Sequence, residues 1–224
     1  MREEDIKLQI CEIGKRIYDR EYVAANDGNI SIRTMDNIVY CTPTGVSKGY
    51  MTPEMIVKMD LKGNILEKGY TPSSEIKMHL KVYQKNPEVF AVCHAHPAAA
   101  TAYAIAGVSI DRPTCPEAVV LLGNVPVAAY ATPGTDGVAD AVEPYCKDYN
   151  ALLLANHGAL TWGKDLVEAY YRMETLEHSC KIKMYSEHMI GKVNELSAEE
   201  VEELLALREK MGIRAGGKPV FQNK

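Results

Sequence analysis

Apolar positions come in short runs of changing period, and the changes mark the elements. Ile6, Ile10, Ile13 and Ile17 recur in steps of four, three and four, which predicts an amphipathic helix over residues 4–19. Asn26-Asp27-Gly28-Asn29 interrupts as a turn. Ile30 to Arg33 and Ile38 to Cys41 then read as two strands joined through Asp36-Asn37, the second closed by Thr42-Pro43-Thr44-Gly45. Thr52 before Pro53 is a helix start. Residues 57–60 and 65–66 read as a hairpin around Lys62-Gly63-Asn64. Ser74 is placed as the cap of a helix carrying Ile76, Leu80 and Tyr83 on one face and ending near Asn86-Pro87.

Val89 to His96 reads as a strand, and Pro97 opens a small-residue helix over 98–106. Residues 125–130 form another predicted strand and 136–148 a helix. Ala151 to Ala155 is wholly apolar, as a central strand is. A long helix over 165–188 turns Leu166, Tyr170, Met173 and Leu176 inward. Ser197 and Glu200 form a capping-box pair before a last helix, and residues 212–224 read as a tail. Without repeat or linker, residues 1–224 are expected to form one domain. Strands and helices interleave after early hairpins, so the expected class is α/β (α+β), a mixed or mainly antiparallel sheet with helices on its faces.

Composition narrows the function. Apolar residues make up 46% of the 224 and charged residues 25%, which excludes a disordered chain. The net charge of −5 gives no electrostatic footprint for nucleic acid, yet leaves room for a local phosphate site. The N-terminus has acids at once rather than a basic, then apolar, signal. The longest small-residue stretch, Ala98 to Val108, is far short of the roughly 18 apolar residues of a membrane span. The 6 cysteines are scattered without a CxxC pair, as expected of reduced thiols in a cytoplasmic protein. Tyrosines number 13 against 2 phenylalanines, a pointer to polar sites and interfaces.

Three features carry chemistry. His94-Ala95-His96 ends a predicted strand, where residues two apart project from one face and two imidazoles can share one metal. His157 ends the apolar strand ahead of Gly158. Three imidazoles gathered at strand ends suit zinc, cobalt or manganese and leave coordination positions for a substrate. Ser73-Ser74-Glu75 opens a helix, where free N–H groups and hydroxyls can cradle an anion. Asn26 to Asn29 and Thr42 to Gly45 share that character. Each of these turns is also ordinary loop chemistry on its own. Lys48, just after the second turn, reads as a solvated loop lysine with an anion contact as the alternative.

Taken in order, NDGNIS (26–31), TPTG (42–45), SSE (73–75), HAH (94–96) and NHG (156–158) resemble the class II aldolase/adducin family over roughly residues 5–190. The resemblance implies a three-layer α/β/α fold with a central, mainly antiparallel sheet. It implies a zinc-dependent C4 homotetramer with active sites at subunit interfaces. By position, His94, His96 and His157 match the family's zinc ligands, with Mn2+ or Co2+ as possible substitutes. Glu75 matches its acid/base carboxylate, and Asn29, Thr44, Gly45, Ser73 and Ser74 its phosphate-binding residues. The implied partner is a phosphorylated ketose, L-fuculose 1-phosphate or a related deoxy-sugar phosphate. Cleavage yields dihydroxyacetone phosphate and an aldehyde such as lactaldehyde. Retro-aldol cleavage leaves an enediolate, whose charge a divalent ion stabilises as a Lewis acid. A carboxylic acid must move the proton on its carbon, the task Glu75 is expected to perform.

Other members remain open. The family's ribulose-phosphate 4-epimerases carry aspartate where Glu75 stands and a longer stretch before the third histidine, which here lies 61 positions after His96. Its methylthioribulose-phosphate dehydratases place a catalytic glutamate after the HxH helix, where this chain has Glu117, a possible second acid/base that is also an ordinary helix-start acid behind Pro116. Adducin heads keep the fold as an assembly module, with no need of metal ligands. The chain departs from the aldolase pattern on the aldehyde side. The loop after HAH lacks the family's tyrosine, and the tail after Met211 offers only Phe221.

Overall fold

The computed structural model describes residues 2–221. Seven strands form one sheet in the order β3-β2-β1-β4-β7-β6-β5. They are β1 (Asn29–Arg33), β2 (Ile38–Cys41), β3 (Val57–Asp60), β4 (Ala91–Ala95), β5 (Val127–Ala128), β6 (Ala151–Leu154) and β7 (Gly158–Gly163). All neighbours run antiparallel except β5 beside β6. Helices α1 (Glu3–Asp19), α3 (Ala98–Ala106) and α6 (Leu166–Met184) cover one face, and α2 (Ile76–Lys85) and α5 (Asp136–Val142) the other. This is the expected α/β layering. α4 (Pro116–Leu121) and α7 (Ala198–Lys210) pack on each other beside α6. Among the described residues no helix is long and apolar enough to cross a membrane.

The core follows the strand alternation. Ile30 and Ile32 of β1 join Ile6, Ile10, Ile13 and Ile17 of α1 on the first face. Each such fully buried isoleucine stabilises by about 1.5–3 kcal/mol. Val92, Leu152, Leu160 and Trp162 meet Met78, Val82 and Val142 on the second. Glu177 of α6, itself buried, accepts from the backbone N–H groups of Ala99 (3.2 Å) and Ala100 (2.8 Å). A carboxylate there satisfies the free donors of α3 and fixes the helix that follows the HAH segment.

Several boundaries differ from expectation. The strand β7 is not visible as a pattern, because all six residues are buried and glycines stand at both its ends. Thr52-Pro53 starts only a single 3-10 turn, Pro53–Met55. The 57–66 hairpin reduces to β3 and one isolated bridge from Met59 to Ile65. The 136–148 helix stops at Val142, where Pro144 allows only a 3-10 turn to follow. The long helix ends at Met184 and widens into a π turn, Tyr185–Ile190. The expected tail is anchored in part. Gly216 N–H donates to the Asp148 carbonyl and Val220 N–H to that of Asp111, while residues 222–224 lie outside the described residues.

Candidate active site

β1 is buried on both faces, and its second face is polar. Asn29, Ser31 and Arg33 alternate with the two isoleucines and meet α2. Opposite them, Glu75, His79 and Tyr83 recur every four residues, so they share one helix face. The Asn29 amide donates to Glu75 Oε2 at 2.9 Å. Ser31 Oγ lies 2.8 Å from His79 Nδ1 and 2.7 Å from Tyr83 OH. Arg33 donates to the carbonyls of Pro87 (2.5 Å) and Val89 (2.6 Å). This polar seam holds the start of α2 against the sheet. Burial drives the His79 imidazole down to about 3, so the ring is neutral and acts only as a hydrogen-bonding spacer. Spacing by four, read alone, looks like a solvent face, and the period-two polar alternation of β1 was the one available signal.

The three histidines converge beside that seam. Antiparallel pairing sets His94 of β4 across from Asn29. His96 follows the strand, its N–H bonded to the Tyr22 carbonyl. His157 sits in the turn between β6 and β7, after Asn156 at φ +56°. Gly158 is required there, since a Cβ would lie 2.5 Å from His96 Cδ2 and 2.7 Å from the Ala95 carbonyl. One ring nitrogen from each histidine falls within 4.8 Å of the others. His94 Nδ1 lies 2.9 Å from the Ala159 carbonyl, which can only accept, so Nδ1 carries the proton. Its Nε2 lone pair then faces His96 Nε2 at 3.0 Å. His96 Nδ1 in turn lies 3.5 Å from Asp27 Oδ2, which orients that ring. Three imidazoles with outer partners on two of them fit a divalent ion of the zinc class.

Glu75 closes the cluster. Its Oε2 is 3.5 Å from His94 Nε2, and its Oε1 is 3.0 Å from His157 Nε2 without hydrogen-bond alignment. Burial pushes the Glu75 carboxyl up, but the His94 and His157 imidazoles and the Asn29 amide outweigh it and hold the group below the usual carboxylate range. Burial also drives His94 down to about 3, so the pair is an ionised carboxylate beside a neutral ring, with the Asn29 amide donating to the carboxylate.

The turns expected to form an anion cradle come together. Asn26, Asp27, Gly28, Thr44, Gly45, Ser73 and Ser74 line one cavity with Glu75, His96 and His157. Asn29 stands behind it, bonded to Glu75 and to Ser73 Oγ at 3.3 Å. Ser74 does not cap α2. Ser73 Oγ accepts from Glu75 N–H at 3.3 Å, and Glu75 takes the cap position without a side-chain cap. The Ile76 and Met78 N–H groups donate to the Ser73 and Glu75 carbonyls, both at 3.1 Å, so the serine hydroxyls are what this helix start presents to a ligand.

Residues 8–184 match the family model described as the class II aldolase and adducin N-terminal domain. The chain belongs to this family. It is 39% identical over 175 residues to an L-fuculose phosphate aldolase of Methanococcus maripaludis, spanning 78% of this chain and 92% of that one. It is 35% identical over 181 residues to a 3-oxo-tetronate 4-phosphate decarboxylase of Haemophilus influenzae, spanning 79% and 85%. The solved structure of an L-fuculose 1-phosphate aldolase superposes with a TM-score of 0.85 at 30% identity, over 93% of this chain and 96% of that one. The class II aldolase family thus supplies the fold, and its aldolase and decarboxylase relatives make this chain a lyase.

Of the two residues that the sequence left with two readings, Glu117 takes the helix-start position and Lys48 departs from the solvated one. Glu117 is exposed in the first turn of α4 and lines a different cleft, with Arg20, Glu174, His178 and Lys181. Lys48 is not solvated. It is buried and lines the anion cavity.

Proposed function

We propose that the protein is a divalent-metal-dependent aldolase that cleaves a ketose 1-phosphate, L-fuculose 1-phosphate or a related deoxy-sugar phosphate. The products are dihydroxyacetone phosphate and an aldehyde such as lactaldehyde. The observation that carries this reading is Glu75, an ionised carboxylate held by Asn29 between three imidazoles and an anion cradle. His94, His96 and His157 would hold the ion, zinc in the first instance with Mn2+ or Co2+ as alternatives. When bound, it supplies Lewis-acid stabilisation of negative charge on the substrate's oxygens.

The chain's own residues do the rest. Asn29, Thr44, Gly45, Ser73 and Ser74 bind the phosphate, so that binding energy at the non-reacting end orients the carbon chain. In cleavage the C3–C4 bond breaks, its electron pair enters the carbonyl as an enediolate, the 4-hydroxyl proton passes to solvent as the aldehyde forms, and the ionised Glu75 takes up a proton from solvent. Glu75 delivers a proton to C3. In condensation, Glu75, ionised and so free to accept, removes that proton. The reading includes a homotetramer with the clefts at subunit interfaces, one domain over the chain, and a cytoplasmic location in keeping with six free thiols.

The decarboxylase relative favours a second reading on the same machinery. Loss of CO2 from a 3-oxo-tetronate 4-phosphate leaves the same enediolate, and protonation by Glu75 again gives dihydroxyacetone phosphate. A screen of ketose 1-phosphates and 3-oxo acid phosphates with zinc present separates the two. Aldehyde release in step with dihydroxyacetone phosphate supports the aldolase. CO2 in step with it, and no aldehyde from any ketose, replaces that reading with the decarboxylase.

A further inference from the structure

Among the described residues lining the anion cavity, Lys48 is the one lysine or arginine, and Asp27 and Glu75 are its carboxylates. A phosphate dianion placed there meets hydroxyls and backbone N–H groups, but also two negative side chains. Neutral donors alone leave that charge poorly compensated. Lys48 is 2% exposed, and its Nζ donates to the Asn26 carbonyl at 2.9 Å and the Val46 carbonyl at 2.8 Å. Asn26 belongs to the first cradle turn, and Val46 directly follows the second, Thr42 to Gly45. An ammonium has three donors, and no described residue engages the third. Burying a lysine merely to join two carbonyls is costly, and a neutral donor would serve at lower desolvation cost.

We propose that Lys48 is the cationic binding residue of this cleft: its ammonium contacts the substrate's phosphate while tying the turns at 26–29 and 42–47 into one cradle. This rests on the phosphate reading above and adds the residue that makes the site selective for a dianion. Burial holds the Lys48 amine down to about 8, opposed by Asp27 and Glu75. The charged groups facing it are Asp27 from the first turn and Glu75 from the start of α2; the His96 and His157 rings line the same cavity, and α1 presents the Gly14 backbone to Lys48 and the Tyr18 ring to Gly49 and Tyr50. The lysine is thus protonated below about pH 8 and loses its charge above it. Anion binding through it must weaken in that direction.

Sulfate is the probe, because it stays dianionic throughout the range, and calorimetry on the whole enzyme reads its Kd. Wild-type affinity should fall about tenfold between about pH 7 and about pH 9. Lys48→Met should weaken binding about 10- to 100-fold at neutral pH and abolish the slope. Lys48→Arg, which keeps its charge, should retain most of the affinity with a flat profile. Lys48→Gln serves as the neutral variant if Lys48→Met does not fold. Wild-type affinity and slope in the neutral variant would overturn the proposal. So would a folded Lys48→Arg as weak as the neutral variant, since the lysine would then act only as a tether. Sulfate binding that depends on Ser73 but not on Lys48 removes this inference and leaves the phosphate site standing. No sulfate binding by the wild type, with a ketose phosphate KM insensitive to Ser73→Ala, overturns both.

Discussion

Glu75 and Glu117 both stand at the start of a helix behind a short turn, and their surroundings give them opposite roles. Glu75 is backed by β1, whose Asn29 amide donates to it, and it faces two imidazoles. Glu117 is exposed, and its described side-chain partner is the Cys115 thiol at 2.9 Å. The first is a desolvated charge whose proton affinity is set by named neighbours. The second is a solvated first-turn acid whose effect on its helix is a fraction of a kcal/mol to about 1. Residue type and helix position are common to both. What separates them is a second element, a strand with polar side chains aimed back at the helix.

The sharpest ways to break that contrast start with the metal ligands. His94→Ala removes a fully buried donor. Metal content should fall from about one ion per chain to a small fraction of that, with turnover down on the order of 10³-fold or more. Elemental analysis and a dihydroxyacetone phosphate assay check both. Glu75→Gln should keep the ion and the fold but lower turnover about 10²- to 10⁴-fold. Ser73→Ala should raise the KM for a ketose phosphate about tenfold with little change in kcat, because it loses a contact made equally in ground and transition states. Gly158→Ala tests the close approach beneath His96. The added Cβ forces a shift that should cost about 1–3 kcal/mol in thermal unfolding. Glu117→Gln should change turnover less than about twofold, as surface substitutions away from a site do. A loss comparable to that of Glu75→Gln would erase the distinction and revive a dehydratase-type role for Glu117.

The sequence made the strand-end histidines, the hydroxyl turns and Glu75 legible because their chemistry is carried by short contiguous motifs. The helices α1, α3 and α6 were equally plain from apolar spacing and caps. Other features depend on what lies opposite. β7 is buried on both faces, so Gly158 to Gly163 has no alternation to read. His79 looks like a position on a helix surface, and Tyr83 like a plain member of the apolar face, until Ser31 is placed across from them. Lys48 reads as a loop lysine because nothing local says that the Asn26 and Val46 carbonyls converge on it. Pairing across the sheet, rather than propensity, makes these residues functional or structural.

Hydrogen exchange from solvent deuterium into the C3 hydroxymethyl carbon of dihydroxyacetone phosphate isolates the proposed Glu75 step, because it needs the proton transfer but no aldehyde. Proton NMR of the zinc-loaded wild type should show stereospecific loss of one hydrogen. In Glu75→Gln, with zinc content and thermal unfolding unchanged, the rate should fall about 10²- to 10⁴-fold. Exchange at the wild-type rate in that variant would contradict the account and assign the proton to another group.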